Sequence, residues 1–152
     1  MRLTLMTDYA LRLLMYVAQR PDRLCTIAEV ARAYDISEAH LMKVTHQLGL
    51  AGWIETVRGK GGGMRLAHAP GRIGLGAVVR SMESDFHLTE CLGTGNRCLL
   101  TGNCRLTGIV GEALQGFLRS LDGYTLADIL PAESGAAIAE RPLIRGDRAR
   151  AS

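Results

Sequence analysis

Apolar side chains return every three or four residues through most of this chain, and that spacing predicts a mainly helical fold. Ala10, Leu13, Leu14, Val17 and Ala18 make one face of a first helix, expected from about Asp8 to Gln19, with Thr7 as its N-cap and Pro21 beyond its end. Asp8 then sits in the first turn, where a carboxylate suits the positive end of the helix dipole. Before it, Arg2 to Met6 alternates only weakly. Thr26 and Glu29 have the spacing of a capping box at the head of a short second helix, which turns Ile27, Val30 and Ala31 inward and ends near Tyr34. Asp35 and Ile36 form a tight turn. Ser37 then caps a third helix that buries Leu41, Val44, Leu48 and Leu50 and presents Glu38, Ala39, His40, Lys43 and Gln47.

The period then changes. Trp53 to Arg58 and Met64 to Ala67 read as strands by residue type, and Gly59, Lys60, Gly61, Gly62 and Gly63 lie between them. Two short helices joined by a tight turn and followed by a basic glycine-rich hairpin form the pattern of a winged helix-turn-helix, whose second helix enters the major groove of DNA. Ser37, Ala39, His40 and Lys43 at the start of that helix are the candidates for reading bases. Arg58, Lys60 and Arg65 on the wing are the candidates for phosphates or a minor groove. The wing glycines would let the backbone lie close to the duplex. A nucleotide-binding phosphate loop is excluded, because no GK[ST] sequence occurs and no helix follows the glycines.

Pro70 to Gly76 reads as a connector, and Leu75, Val78, Val79 and Met82 predict a fourth helix packed on the winged unit. The most regular periodicity comes later, in Leu106, Ile109, Val110, Ala113, Leu114, Phe117, Leu118 and Leu121. Too little chain remains to cover so wide a face. Gly108, Gly111, Ala113 and Gly116 permit close approach by an identical helix, so the face predicts a homodimer. Thr125 to Asp128 starts a last short turn, ended by Pro131. The expected fold is therefore mainly α with a small β-hairpin wing: a DNA-binding winged unit over residues 1–82, a cysteine loop over 83–104, a dimerisation helix and short turn over 105–130, and a disordered tail over 131–152.

Charge sharpens this division. The net charge of +3 is unevenly spread: residues 1–80 carry 11 Lys and Arg against 6 Asp and Glu, whereas residues 81–130 carry 3 against 6. The half with the winged pattern is the basic half, as a nucleic-acid partner requires. No apolar run approaches the roughly 20 residues of a membrane span, and MRLTLMTDYA lacks the apolar core and cleavage site of a signal peptide, so a cytoplasmic protein is expected.

In that reducing compartment the cysteines point to metal rather than disulfide. Cys91, Cys98 and Cys104 fall within one glycine-rich loop with gaps of six and five residues, an odd number that pairing would not use up. Iron and sulfide fit three thiolates surrounded by glycine amides; zinc fits them with His87 as a fourth ligand; unligated, redox-active thiols are the third reading. Cys25 stands apart as a small apolar residue. No Ser, His and Asp set or carboxylate pair suggests an enzyme, and a cluster loop beside a winged helix argues against a small electron carrier.

The TDYALR segment of the first helix, the VRGKGGGMRL wing, the three-cysteine loop and the closing YTLADIL together resemble the family of dimeric winged-helix iron–sulfur regulators of the NsrR and IscR type, over residues 1 to about 130. The resemblance implies a transcription repressor without enzymatic activity, bound to palindromic double-stranded operator DNA. The IscR branch has a ligand histidine three residues after the last cysteine, where this chain has Thr107; Asp8 and Arg12 replace the glutamate and histidine pair of a redox-sensing relative. The match is instead to the nitric-oxide-sensing branch. That branch implies a cluster held by Cys91, Cys98, Cys104 and Asp8 of the partner subunit, four-iron four-sulfur rather than two-iron two-sulfur, with nitric oxide as signal.

Overall fold

The structure is a computed structural model that describes residues 2–100 and 102–131; the expected disordered tail lies outside the described residues, apart from Pro131. Five helices and one hairpin follow in the order α1 (Leu5–Ala18), α2 (Ile27–Tyr34), α3 (Glu38–Leu50), β1 (Ile54–Val57), β2 (Gly63–Leu66), α4 (Leu75–Met82) and α5 (Arg105–Asp122). Single 3-10 turns at Pro70–Arg72, Glu90–Leu92 and Leu126–Ile129 join or close them.

Helix α1 starts one turn earlier than its sequence suggests. Thr4, not Thr7, is the N-cap: its backbone is extended and its hydroxyl accepts from the Thr7 amide. Thr7 is fully buried instead, and its hydroxyl donates to Glu83 Oε1 at 2.5 Å. The same carboxylate oxygen accepts from the Thr4 amide at 2.8 Å, so a residue just past α4 completes the cap of α1. The capping box of α2 forms as expected, with the Thr26 amide donating to Glu29 at 2.6 Å.

Asp35 ends α2 in the left-handed region, at φ 54°, and buried Ile36 pins the turn into α3. Leu41, Val44 and Leu48 pack inward on α3 as predicted. Leu50 does not, being 71% exposed at the last helical position, where the apolar stripe has rotated away from the core. Leu41, Val44 and Leu48 join Ala10, Leu13, Leu14 and Val17 of α1, Val78 of α4 and Leu126 in one core.

The hairpin pairs antiparallel, Glu55 opposite Arg65 and Thr56 opposite Met64. Cys25, completely buried, adds a bridge to Met64, with amide–carbonyl distances of 2.9 and 2.8 Å. Close approach explains two of the wing glycines. A side chain at Gly63 would place its Cβ 2.6 Å from the Cys25 carbonyl oxygen, and one at Gly62 would meet the Val57 carbonyl. Both glycines serve contacts inside the protein. Trp53 anchors the base of the wing by donating its indole N–H to Ser81 on α4 at 2.9 Å.

Helix α5 packs on α4 through its last turns, and its first turn meets the cysteine loop through Thr107. Leu118 is its one buried residue among those described, and Arg80 of α4 grips Asp122 through two hydrogen bonds of 2.5 and 2.8 Å. Toward its start Leu106 and Ile109 are 55% and 60% exposed. No helix among the described residues is long and apolar enough to cross a membrane.

Candidate nucleic-acid interface and cysteine loop

Ser37 shapes the start of α3. Its hydroxyl accepts from the His40 amide at 3.3 Å and also bonds His40 Nδ1 at 3.0 Å, so the imidazole folds back over the cap. The Tyr9 ring lies 6.1 Å from that imidazole, tilted by 47°. Ser37, Ala39, His40 and Lys43 are all exposed on one end of the helix, as a groove-reading surface requires.

The three wing cations differ. Arg58 and Lys60 are exposed and take part in no ion pair among the described residues. Arg65 is held by Glu55, its cross-strand neighbour, at 2.7 Å. A surface pair of this kind is worth only about 0–1 kcal/mol, but it cancels the charge that Arg65 would offer a phosphate.

None of the four cysteines forms a disulfide among the described residues. Burial pushes the Cys25 thiol up, consistent with a core role. Cys91 lies on the Glu90–Leu92 turn and is half-buried, Cys98 is exposed, and half-buried Cys104 is the N-cap residue of α5. Thr107 donates its hydroxyl to Cys91 Sγ at 3.2 Å, and the Thr89 hydroxyl lies 3.1 Å from the same sulfur. Those two bonds, Thr107 first, hold the Cys91 thiol below its usual range.

Among the described residues no three His, Cys, Asp or Glu side chains converge closely enough to hold a metal ion. The loop is closed by its own bonds instead, such as the Arg97 amide to Glu90 and the Cys98 amide to Asn96, both 2.9 Å. Asp8 pairs with Arg12 one turn along α1 at 2.9 Å. His87 packs against the loop at Gly93 and lies 3.7 Å from Asp85. The donor chemistry nevertheless fits a thiophilic group, with three cysteine sulfurs outside any disulfide on one loop and Cys91 already bonded as a thiolate would be.

Three residues matter here that local pattern did not mark. Glu83 carries no signal, because its partners lie nearly eighty positions earlier. Tyr9 reads as an ordinary helix residue. Thr107 is visible in sequence only as a histidine that is missing; its contact with Cys91 needs the fold.

The helix-turn-helix with its exposed first turn and hairpin wing is a winged-helix fold, and its relatives make the chain a regulator of transcription and not an enzyme. Residues 3–132 match the Rrf2 family, described as iron-dependent transcriptional regulators, and the chain belongs to that family. It is 50% identical to the HTH-type transcriptional regulator NsrR of Halalkalibacterium halodurans over 135 residues, covering 88% of this chain and 92% of the relative. To the NsrR of Geobacillus kaustophilus it is 49% identical over 132 residues, 86% and 90% of the two chains. Its fold is also that of the solved T. potens IscR, with a TM-score of 0.67 at 22% identity over 84% of this chain and 85% of the other.

Proposed function

We propose that this chain is a nitric-oxide-sensing transcriptional repressor of the cytoplasm, binding palindromic operator DNA as a homodimer and leaving it when an iron–sulfur cluster on its cysteine loop is nitrosylated. The observation that carries this reading is the set of three cysteines on one loop, none in a disulfide, in a chain half identical to a relative named NsrR. Cys91, Cys98 and Cys104 would hold the cluster, four-iron rather than two-iron, with the partner's Asp8 as the remaining ligand. When bound, that group supplies the irons that nitric oxide attacks.

The rest falls to the chain itself. Exposed Leu106 and Ile109, with half-buried Val110, Leu114 and Phe117, give α5 an apolar face suited to a second copy of α5. A two-fold dimer then presents two α3 helices and two wings to half-sites about 34–36 Å apart. Asp8 adjoins Tyr9, and Tyr9 lies against His40 at the start of α3. A pull on Asp8 from the other subunit therefore acts directly on the surface proposed to read bases. In this reading residues 1–82 bind DNA, 83–104 hold the cluster and 105–130 dimerise.

Mössbauer spectra and acid-labile sulfide of anaerobically purified protein test the ligand assignment. Wild type should carry about four irons and four sulfides per chain, as a four-iron cluster demands, and Cys91→Ala, Cys98→Ala or Cys104→Ala should each lose them. Zinc without sulfide would overturn the assignment.

A further inference from the structure

Cys91 differs from the other two loop cysteines in where its sulfur is held. It belongs to the 3-10 turn before the glycine-rich stretch, yet Thr107 reaches it from the first turn of α5, sixteen residues later, with Thr89 on the same sulfur. A helical threonine commonly bonds back to a carbonyl one turn earlier. Thr107 spends its hydroxyl on sulfur instead, joining the two ends of the loop across the segment that carries Cys98.

We propose that Thr107 is a positioning and tuning residue for the Cys91 sulfur, which ties that proposed cluster ligand to helix α5. This rests on the reading of Cys91 as a ligand and deepens it. A hydroxyl donated to a ligating thiolate withdraws electron density from the sulfur, weakens its bond to iron and favours the reduced cluster, since hydrogen bonds to sulfur are among the determinants of cluster potential. The same hydroxyl couples geometry: a displaced Cys91 sulfur pulls on the first turn of α5, which leads into exposed Leu106 and Ile109 on the proposed dimer face. Thr89 contributes no such link, since it sits two residues from Cys91 on the same turn.

The experiment compares wild type, Thr107→Val, Thr107→Ser and Thr89→Val, all purified anaerobically. Valine keeps the shape and removes the donor; serine restores the donor. Iron and sulfide content is read first, and a wild type without a cluster would overturn the parent reading rather than this inference. With the cluster present, Thr107→Val should keep wild-type iron and sulfide, raise the iron–thiolate stretching frequency in resonance Raman spectra and lower the reduction potential. Thr107→Ser should return both to wild type. Thr89→Val should shift the spectrum in the same direction but leave the dimer dissociation constant unchanged, whereas Thr107→Val should raise it several-fold. Valine and wild-type proteins with identical spectra and potentials, at equal cluster content, would overturn the proposal. A valine variant that only melts earlier, with no spectral change, would also overturn it, because that is the behaviour of a loop staple.

Discussion

The hydroxyl of Thr7, buried in the first turns of α1, donates to the Glu83 carboxylate at the end of α4 over 2.5 Å, across 76 positions of sequence. This bond fixes the start of the helix that carries Asp8 against the stem of the cysteine loop. Glu83→Ala leaves the Thr7 hydroxyl buried without its acceptor and should cost about 1–3 kcal/mol, while Thr7→Val, which removes the donor and keeps the shape, should cost about 0.5–1.5 kcal/mol. Urea denaturation measures both. If the double variant loses the full sum of the two, the bond is not what couples them.

The location of that bond also shows what the sequence could disclose. Thr4 and Thr7 are equally good caps by residue type, and only Glu83, distant in sequence, decides that Thr4 caps while Thr7 is buried. Features set by neighbours were legible: the Thr26 and Glu29 box, the Ser37 cap, the inward faces of α3 and α4, and the hairpin. The Cys25–Met64 bridge was not, because a single paired residue leaves no alternation to read. Within the candidate site the three cysteines announce themselves by spacing. The Arg65–Glu55 pair and the Thr107 contact do not, since both depend on which side chains the fold brings face to face.

On the wing, Lys60 and Arg65 should behave differently. Lys60→Ala should weaken binding to all duplexes and flatten the salt dependence by about one unit of slope, as for a lost phosphate contact. Arg65→Ala should change the slope less, and Glu55→Ala should steepen it by freeing Arg65. Fluorescence anisotropy with a labelled duplex at several salt concentrations reads all three; equal slopes for the Lys60 and Arg65 variants would refute the distinction.

Acid should loosen α5 from α4. Arg80 holds the Asp122 carboxyl below the usual carboxylate range. A depressed folded-state value means that the stabilisation is complete above the unfolded value of about 3.9 and is lost as pH falls through the lowered one. The stability gap between wild type and Asp122→Asn should therefore close below about pH 4. A gap unchanged down to pH 2 would contradict this.

Ile109 is exposed in the single chain, so a charge there has no reason to unfold it. Ile109→Glu should keep its circular dichroism spectrum yet sediment as a monomer at micromolar concentration, because burying an unpaired carboxylate in the dimer costs several kcal/mol. A variant that remains dimeric would remove α5 from the interface.

The central claim is that the cysteine loop reports nitric oxide to the DNA-binding surface. Its most direct measurement is anaerobic anisotropy of cluster-loaded protein on a duplex selected by that protein from random sequence, titrated with nitric oxide. Wild type should lose specific affinity at least tenfold as the cluster reacts, while Asp8→Ala, with its cysteines intact, should show a perturbed cluster spectrum and a smaller loss. Full reaction with nitric oxide at unchanged operator affinity, with Cys91, Cys98 and Cys104 still holding iron, would contradict it.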